Sequence, residues 1–231
     1  MDVLWEAITD ALGLLIGGDG ETYEIIARSL RVSLTATLVA FLLGLPLGML
    51  LALGRFRGRR LALAAVNTGM GMPPVVIGLL ITVMLWRSGP FGALELLYTP
   101  TAMVIAQAVI AFPLVAGISA AALQQVDPDF RVQMEALGAT RGRALWAVAV
   151  EARLPLLAAV MAGFGAVVSE VGAAMMVGGN IAGQTRVLTT AAVLETSRGD
   201  FAAAIAFGLI LLLIAFSVIL ILTLAQQRGR R

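Results

Sequence analysis

The chain has 231 residues, of which 60% are hydrophobic and 13% are charged, and its mean hydropathy is +0.96. A water-soluble domain needs more polar surface than this composition provides, so we expect an integral membrane protein with one domain over residues 1–231. Cysteine, histidine and lysine are absent, which excludes disulfides, thiolate or histidine metal sites, a histidine general base, the P-loop lysine and Schiff-base catalysis. We therefore predict no catalytic residue, no metal site and no cofactor in this chain, and no nucleic-acid partner.

The first 25 residues are predicted to form an amphipathic helix rather than a signal peptide. Asp2, Glu6 and Asp10 recur every four residues, where a signal peptide would be basic. The other side of this helix is apolar and carries Leu4, Trp5, Ile8, Leu12 and Leu15. Such a helix either lies at the membrane surface in contact with lipid or packs on the rest of the protein, and the pattern fits both alternatives.

Five later stretches are long and apolar enough to cross a bilayer, which takes about 20 residues. They are residues 32–54, 61–86, 96–126, 154–178 and 201–227. The fourth stretch contains one charged residue, Glu170, and the others contain none. Because backbone polar groups in lipid must be satisfied within their own segment, we expect five transmembrane helices.

The arginines of the connections predict the orientation of these helices. Eleven of the 16 arginines fall on one side of the membrane: Arg55, Arg57, Arg59, Arg60, Arg131, Arg141, Arg143, Arg153, Arg228, Arg230 and Arg231. The remaining five arginines and the acidic residues of 1–24 fall on the other side. The arginine-rich side should therefore be cytoplasmic, with the N-terminus outside and the C-terminus inside a multi-pass protein of the cytoplasmic (inner) membrane.

Residues 127–153 form a long connection on the predicted cytoplasmic side and should fold as two short helices. Asp127 and Pro128 are typical of the N-cap and first position of a helix. Gly138 then allows a sharp change of direction, and Thr140 can cap a second helix. A short helix is only marginally stable in water, so we expect this segment to dock on a partner protein.

This connection resembles the cytoplasmic loop of the permease subunits of ABC importers that work with a binding protein. Leu137-Gly138-Ala139-Thr140 is similar to the family sequence L-G-A-S/T, whereas 132–134 replace the family's E-A-A and Leu154-Pro155 falls four residues late. The resemblance implies the type I ABC importer fold, with coupling helices that insert into a cleft of an ATPase subunit. The residues that it assigns to ATPase coupling are Met134, Glu135, Ala136, Leu137, Gly138, Ala139, Thr140 and Arg141.

Two features of the predicted spans make the resemblance more specific. Pro73 and Pro74 remove backbone donors and break the second span, as in permeases of the sulfate and molybdate type. Residues 169–190, "SEVGAAMMVGGNIAGQTRVLTT", resemble the G-E-x-G-A…G-N-I-x-G-x-T segment of oxyanion permeases and are most similar to tungstate permeases. The resemblance therefore implies import of an oxyanion, namely tungstate, with molybdate or sulfate as the alternatives.

The polar groups of this region have two possible roles each. A carboxylate is a poor ligand for an oxyanion, so Glu170 should pair with an arginine or cap backbone donors. The glycine-rich loop after it could contact the ion or dock the binding protein. The candidates for substrate path or docking are Pro73, Pro74, Glu170, Asn180, Thr185, Arg186 and Thr189, with Gln184 and Thr190 as further donors. Lesser candidates for a polar path, equally explained by helix–helix contacts, are Ser33, Thr35, Thr37 and Gln107.

The resemblance also implies the partners. They are a second copy of the chain, two ABC ATPase subunits that hold ATP-Mg, an extracytoplasmic oxyanion-binding protein and membrane lipid. The rival interpretations are a stand-alone carrier or channel and a scaffold subunit without a pathway. A carrier needs ionisable coupling groups within the membrane, and Glu170 is the only charged residue deep in a predicted span.

Overall fold

The computed structural model describes residues 2–17 and 20–228, and this part of the chain is built from α-helices. They are α1 (Asp2–Ile16), α2 (Gly20–Leu53), α3 (Arg59–Met70), α4 (Pro74–Leu85), α5 (Pro100–Gln124), α6 (Pro128–Ala136), α7 (Arg141–Glu151), α8 (Arg153–Val168), α9 (Gly172–Gly178), α10 (Leu188–Arg198) and α11 (Phe201–Arg228). A short 3-10 helix, Gly92–Leu94, lies between α4 and α5. The predicted all-α membrane fold is confirmed.

Within the described residues, three single helices, α2, α5 and α11, are long and apolar enough to cross a membrane. Two bent pairs raise the number to five when each is counted as one span: α3 with α4 at 100°, and α7 with α8 at 71°. The first bend falls at the predicted proline break, since α3 ends at Met70 and α4 begins at Pro74.

Three boundaries differ from the sequence-based expectation. The predicted fourth span, 154–178, is two helices, because the chain breaks at residues 169–171 between α8 and α9. Residues 20–25 belong to α2 and not to the N-terminal helix. The stretch before the last span, predicted as a loop, contains α10, which packs antiparallel to α11 after a turn at Gly199 (φ +82°).

The centre of the fold is the parallel pair α2 and α5. Gly44 and Gly48 of α2 form a G-x-x-x-G pattern that lets the two backbones approach closely. A Cβ atom built on Gly44 would lie 3.0 Å from Val115 Cγ1, and one on Gly48 would lie 2.8 Å from Ser119 Cβ. Because both contacts advance four residues in the same direction, the two helices begin at the same end of the bundle.

We expect Gly48→Ala to destabilise the folded protein. The added methyl group has no room, since the Ala116 carbonyl oxygen would also lie 2.9 Å away, and overpacking of this kind costs about 1–3 kcal/mol. The midpoint of thermal unfolding in detergent should fall by about 3–8 °C. The control is Gly208→Ala in α11, where the added atom meets nothing within 4 Å. Equal unfolding midpoints for the two variants would contradict the close α2–α5 contact.

The bundle has two distinct ends. The basic end contains residues 54–58, α6, α7 and the end of α11, where the Gln226 side-chain amide donates to the Leu154 carbonyl oxygen at 2.8 Å. An apolar cluster joins the ends of α2 and α5 to α7 and α8 there. The opposite end contains residues 20–24, the connection 86–99 and the loop 179–187, which are tied together by contacts described below.

The N-terminal helix α1 packs against α11 through small side chains. Ala7 and Ala11 are buried in this contact, and the Tyr23 hydroxyl donates to the Leu15 carbonyl oxygen. Trp5, Ile8 and Leu12, which the sequence placed on the apolar side, remain exposed. The Leu4 side chain lies outside the described part of the chain. The packing alternative therefore accounts for one face of α1, and contact with lipid stays the prediction for the Trp5 face.

Candidate functional site

The helices α6 and α7 meet at the bend that the sequence predicts. Asp127 caps α6, its Oδ1 accepting from the Asp129 N–H at 2.9 Å, and Thr140 caps α7, its hydroxyl accepting from the Arg143 N–H at 3.5 Å. Between them, Gly138 adopts φ +87°. The Ala139 N–H donates to the Met134 carbonyl oxygen at 3.0 Å, which closes the end of α6. A Cβ atom on Gly138 would meet nothing within 4 Å, so the backbone conformation alone favours glycine here.

The bend exposes an apolar surface at the basic end, which we call the coupling knob (residues 132–141). Leu137 is 80% exposed and Val132 is 63% exposed, and no residue of α6 is buried. The Arg131–Glu135 ion pair, at 3.1 Å, stabilises the helix without covering its apolar side chains. Phe130 anchors the base of α6 on the apolar cluster of the basic end. The eight predicted coupling residues, 134–141, therefore lie together on one protruding turn.

The two helix breaks of the predicted substrate path lie side by side. The helix that begins at Pro74 packs against α9, which follows the break at Glu170. A Cβ atom on Gly78 would lie 2.7 Å from Ala173 Cα, and one on Gly172 would lie 2.8 Å from Val75 Cγ2. Glycine is required at both positions, because the Ala173 backbone occupies the space that a side chain at 78 would need and the Val75 side chain occupies the space that one at 172 would need. Pro73 and Pro74 are thus brought next to the Glu170 segment, which the sequence could only place separately.

Glu170 caps the short helix α9. Its carboxylate Oε1 accepts from the Ala173 N–H at 2.9 Å, and its carbonyl oxygen accepts from the Thr189 hydroxyl at 3.1 Å. The Ala173 N–H and the Glu170 carbonyl oxygen lie at the break between α8 and α9. Without these two hydrogen bonds, the interrupted helix would leave both backbone groups unsatisfied within the membrane. Of the two roles predicted for Glu170, the capping of backbone donors is the one found among the described residues.

The loop 179–187 closes on itself. Thr185 is fully buried, and its hydroxyl donates to the Gly178 carbonyl oxygen at 2.6 Å and accepts from the Ile181 N–H at 2.9 Å. The Ile181 carbonyl oxygen accepts three N–H groups, from Gln184, Thr185 and Arg186. Positive φ angles at Gly179, Asn180 and Gly183 make this tight path possible. The exposed residues of the loop are Gly179 and 181–184, while the hydroxyls of Thr185 and of Thr189 in α10 donate to carbonyl oxygens of the protein.

Arginines fix this loop onto α2. Arg28 donates to the carbonyl oxygens of Arg186 and Gly183 at 2.9 and 2.8 Å, and its side chain is only 13% exposed. Arg186 pairs with Glu21 at 3.0 Å. Sequence reasoning counted Arg28 only for orientation and missed its contact. Its position one turn after Glu24, just before the first predicted span, is the available signal.

Tyr98 connects the same loop to the start of α5. It has φ +63°, which is rare for a residue other than glycine, and its N–H donates to the Val177 carbonyl oxygen at 2.8 Å. Its ring lies over Gly179, where a Cβ atom would be 2.8 Å from Tyr98 Cδ1. Phe91 and Leu94 stand exposed beside it in the connection 86–99. The opposite end therefore presents one joined surface made of this connection and the loop.

The combination of a broken-helix membrane bundle with an exposed apolar helix bend is typical of a permease subunit. Residues 44–231 match the family described as the binding-protein-dependent transport system inner membrane component. The chain belongs to this family of ABC transporter permeases, whose members are transport components and not enzymes.

Individual relatives support the same class. The chain is 39% identical over 218 residues to the tungstate uptake system permease protein TupB of Peptoclostridium acidaminophilum, covering 94% of this chain and 96% of that one. It is 39% identical to a probable anion ABC transporter permease protein of Haloferax volcanii, covering 84% and 86%. A molybdenum transport system permease protein ModB, from Haemophilus influenzae, matches at 30% identity over 71% of this chain and 76% of that one.

The fold also matches that of a solved transporter. A chain of the MetNI methionine ABC transporter superposes with a TM-score of 0.68 and 19% identity, covering 88% of this chain and 92% of that one. At this identity the match concerns the fold alone, and it confirms the predicted type I permease architecture.

Proposed function

We propose that this chain is the membrane-spanning subunit of an ATP-driven importer that moves tungstate across the cytoplasmic membrane. The observation that carries this proposal is the 39% identity, over nearly the full length of both chains, to a permease named for tungstate uptake. The lower identity to a molybdenum permease makes molybdate the second candidate. Five spans make half of a pathway, so two copies of the chain enclose the ion between them.

The energy comes from a partner. Two ATPase subunits holding ATP-Mg dock on the coupling knobs of the two copies, since the chain has no lysine with which to build a P-loop of its own. When the ATPase pair closes on ATP, it draws the two knobs together. The spans then tilt from an inward-facing to an outward-facing arrangement. The α6–α7 bend transmits this movement because both helices are capped and α7 is packed on the end of α5.

The loop 179–187 docks the binding protein rather than holding the ion. The Thr185 hydroxyl both donates and accepts within the protein, and the Arg186 guanidinium is paired with Glu21. An oxyanion would have to displace these partners to bind there. The exposed residues 181–184, together with Phe91 and Leu94, offer a preformed surface for a protein partner.

In this mechanism Glu170 is a positioning residue. By capping α9 it holds that helix against α4, so the Pro73–Pro74 break and the Glu170 break move as one unit. Broken helices of this kind form the substrate sites of many transporters. Ion contact then falls to backbone and neutral groups that line the space between the two copies, and weak contacts of this kind allow the ion to leave again.

The ion is tested by transport in liposomes. The permease is reconstituted with its ATPase and binding protein, and uptake of tungstate, molybdate and sulfate is compared at equal concentrations. We expect tungstate uptake to exceed that of the other two ions, and the isolated binding protein to retain tungstate. Faster uptake of molybdate, with retention of molybdate by the binding protein, would show that the transported ion is molybdate. The proposal that the chain belongs to an ATP-driven importer would then still hold.

The orientation is tested by single cysteines, because the natural chain contains none. Ala182→Cys lies on the exposed part of the loop and Ala136→Cys lies on the coupling knob, and both positions are exposed. A membrane-impermeant maleimide added to intact cells should label Ala182→Cys, and should label Ala136→Cys only after the membrane is opened. The reverse pattern would contradict an outer N-terminus and a cytoplasmic coupling knob.

A further inference from the structure

A small polar cavity lies inside the bundle, behind the break between α8 and α9. Its volume is about 10 Å³, which matches the space needed for one water molecule. Its lining brings together five helices (α2, α5, α8, α10 and α11) and the segment that precedes α10: Ser29, Val32, Ser33, Gln107, Val168, Val187, Thr189 and Leu211. Four of these residues, Ser29, Ser33, Gln107 and Thr189, are polar and nine-tenths or more buried.

Gln107 is the residue that requires a ligand here. Its side chain is 3% exposed, and its Oε1 atom has no hydrogen-bond partner among the described residues. An unsatisfied amide oxygen at this depth is costly, because the hydrocarbon core offers no water to replace the missing bond. The Gln107 amide lies on α5 and lines the cavity together with Ser29 and Ser33 of α2.

The cavity also contains groups that can bind a water molecule from the other sides. The Ser33 side chain is buried and lines the cavity, and a hydroxyl can both donate and accept there. The Thr189 hydroxyl donates to the Glu170 carbonyl oxygen at 3.1 Å and can still accept. Ser29, by contrast, is already bonded to the Ile25 carbonyl oxygen and the Leu188 N–H, at 2.7 and 2.9 Å.

We propose that one ordered water molecule binds in this cavity and joins Gln107 of α5 to Ser33 of α2 and Thr189 of α10. The site is too small for a tetrahedral oxyanion. The water completes the hydrogen bonds of the segment that caps the Glu170 break, since Thr189 contacts both the break and the cavity. It therefore fixes α10 and the break onto the rigid α2–α5 pair.

The sign of one stability change tests this site. Gln107→Met keeps the volume of the side chain and removes its polar atoms. If a water molecule binds there, the variant removes the hydrogen bond between that water and residue 107. The unfolding midpoint of the purified protein should then fall by about 3–6 °C. If the cavity is dry, removal of an unsatisfied oxygen should leave the midpoint unchanged or raise it. Gln124→Met, the same change at an exposed position of α5, is the control.

A double-mutant cycle and a direct observation complete the test. Ser33→Ala and Gln107→Met should be non-additive, because each removes a bond to the same water. Additive losses would contradict a shared ligand. An experimental density map of the unaltered protein, at a resolution that shows ordered water, should contain a peak between Gln107 and Ser33. An empty cavity in that map would overturn the proposal even if a variant failed to fold.

Discussion

Leu137→Asp should separate the permease from its ATPase. Leu137 is 80% exposed at the tip of the coupling knob, so the substitution leaves the fold of the chain intact. Within a docked interface, however, the carboxylate would be buried without a partner. Loss of a central apolar contact of this kind costs about 2 kcal/mol or more, which corresponds to about 30-fold weaker binding. The measurement is co-purification of the ATPase subunit with the tagged permease, quantified against the unaltered chain.

The matched control for this experiment is Leu94→Asp. Leu94 is 60% exposed on the connection 86–99 at the opposite end, so it carries the same chemical change away from the proposed ATPase contact. It should leave ATPase binding unchanged. If Leu94→Asp released the ATPase and Leu137→Asp did not, the ATPase would bind at the opposite end of the bundle and not at the coupling knob.

Gly138→Val should uncouple ATP hydrolysis from transport while the protein still inserts and assembles. At φ +87° a β-branched residue is strongly disfavoured, at a cost of about 1–3 kcal/mol. The chain relieves that strain by changing the angle between α6 and α7, since the space around Gly138 is open and no clash opposes the change. Transport should fall by about tenfold or more, whereas ATP hydrolysis by the assembled complex should persist.

Gly138→Asn distinguishes backbone conformation from side-chain size. Asparagine tolerates the left-handed region far better than valine does, and the two side chains are of similar volume. We expect Gly138→Asn to retain most of the transport activity. Equal loss in the two variants would indicate that the surface of the bend, rather than its backbone angle, is what the ATPase recognises.

The features that the sequence predicted well are encoded locally. Asp127, Pro128, Gly138 and Thr140 act on their own turns of the chain, and the structure places the helix ends of α6 and α7 at these residues. The proline break at Pro73 and Pro74 follows from the same kind of chemistry, because a missing N–H and a fixed φ need no information from elsewhere in the fold.

The features that the sequence did not predict depend on distant contacts. The break at 169–171 interrupts an apolar run of suitable length, and it becomes stable only because Thr189 and the Glu170 carboxylate satisfy its backbone groups. Arg28 contacts carbonyl oxygens more than 150 residues away along the chain. Tyr98 and Gly179 meet for the same reason. Helix α10 was missed because its polar, threonine-rich sequence does not resemble a membrane span.

The central claim is that a partner ATPase drives ion movement through this chain. Tungstate uptake into liposomes tests it most directly, in vesicles that contain the permease alone and in vesicles that contain the permease with its ATPase, binding protein and ATP. The account predicts accumulation only in the complete system, and strongly reduced accumulation when Leu137→Asp replaces the unaltered permease. Accumulation of tungstate by the permease alone would contradict it and would identify a stand-alone carrier.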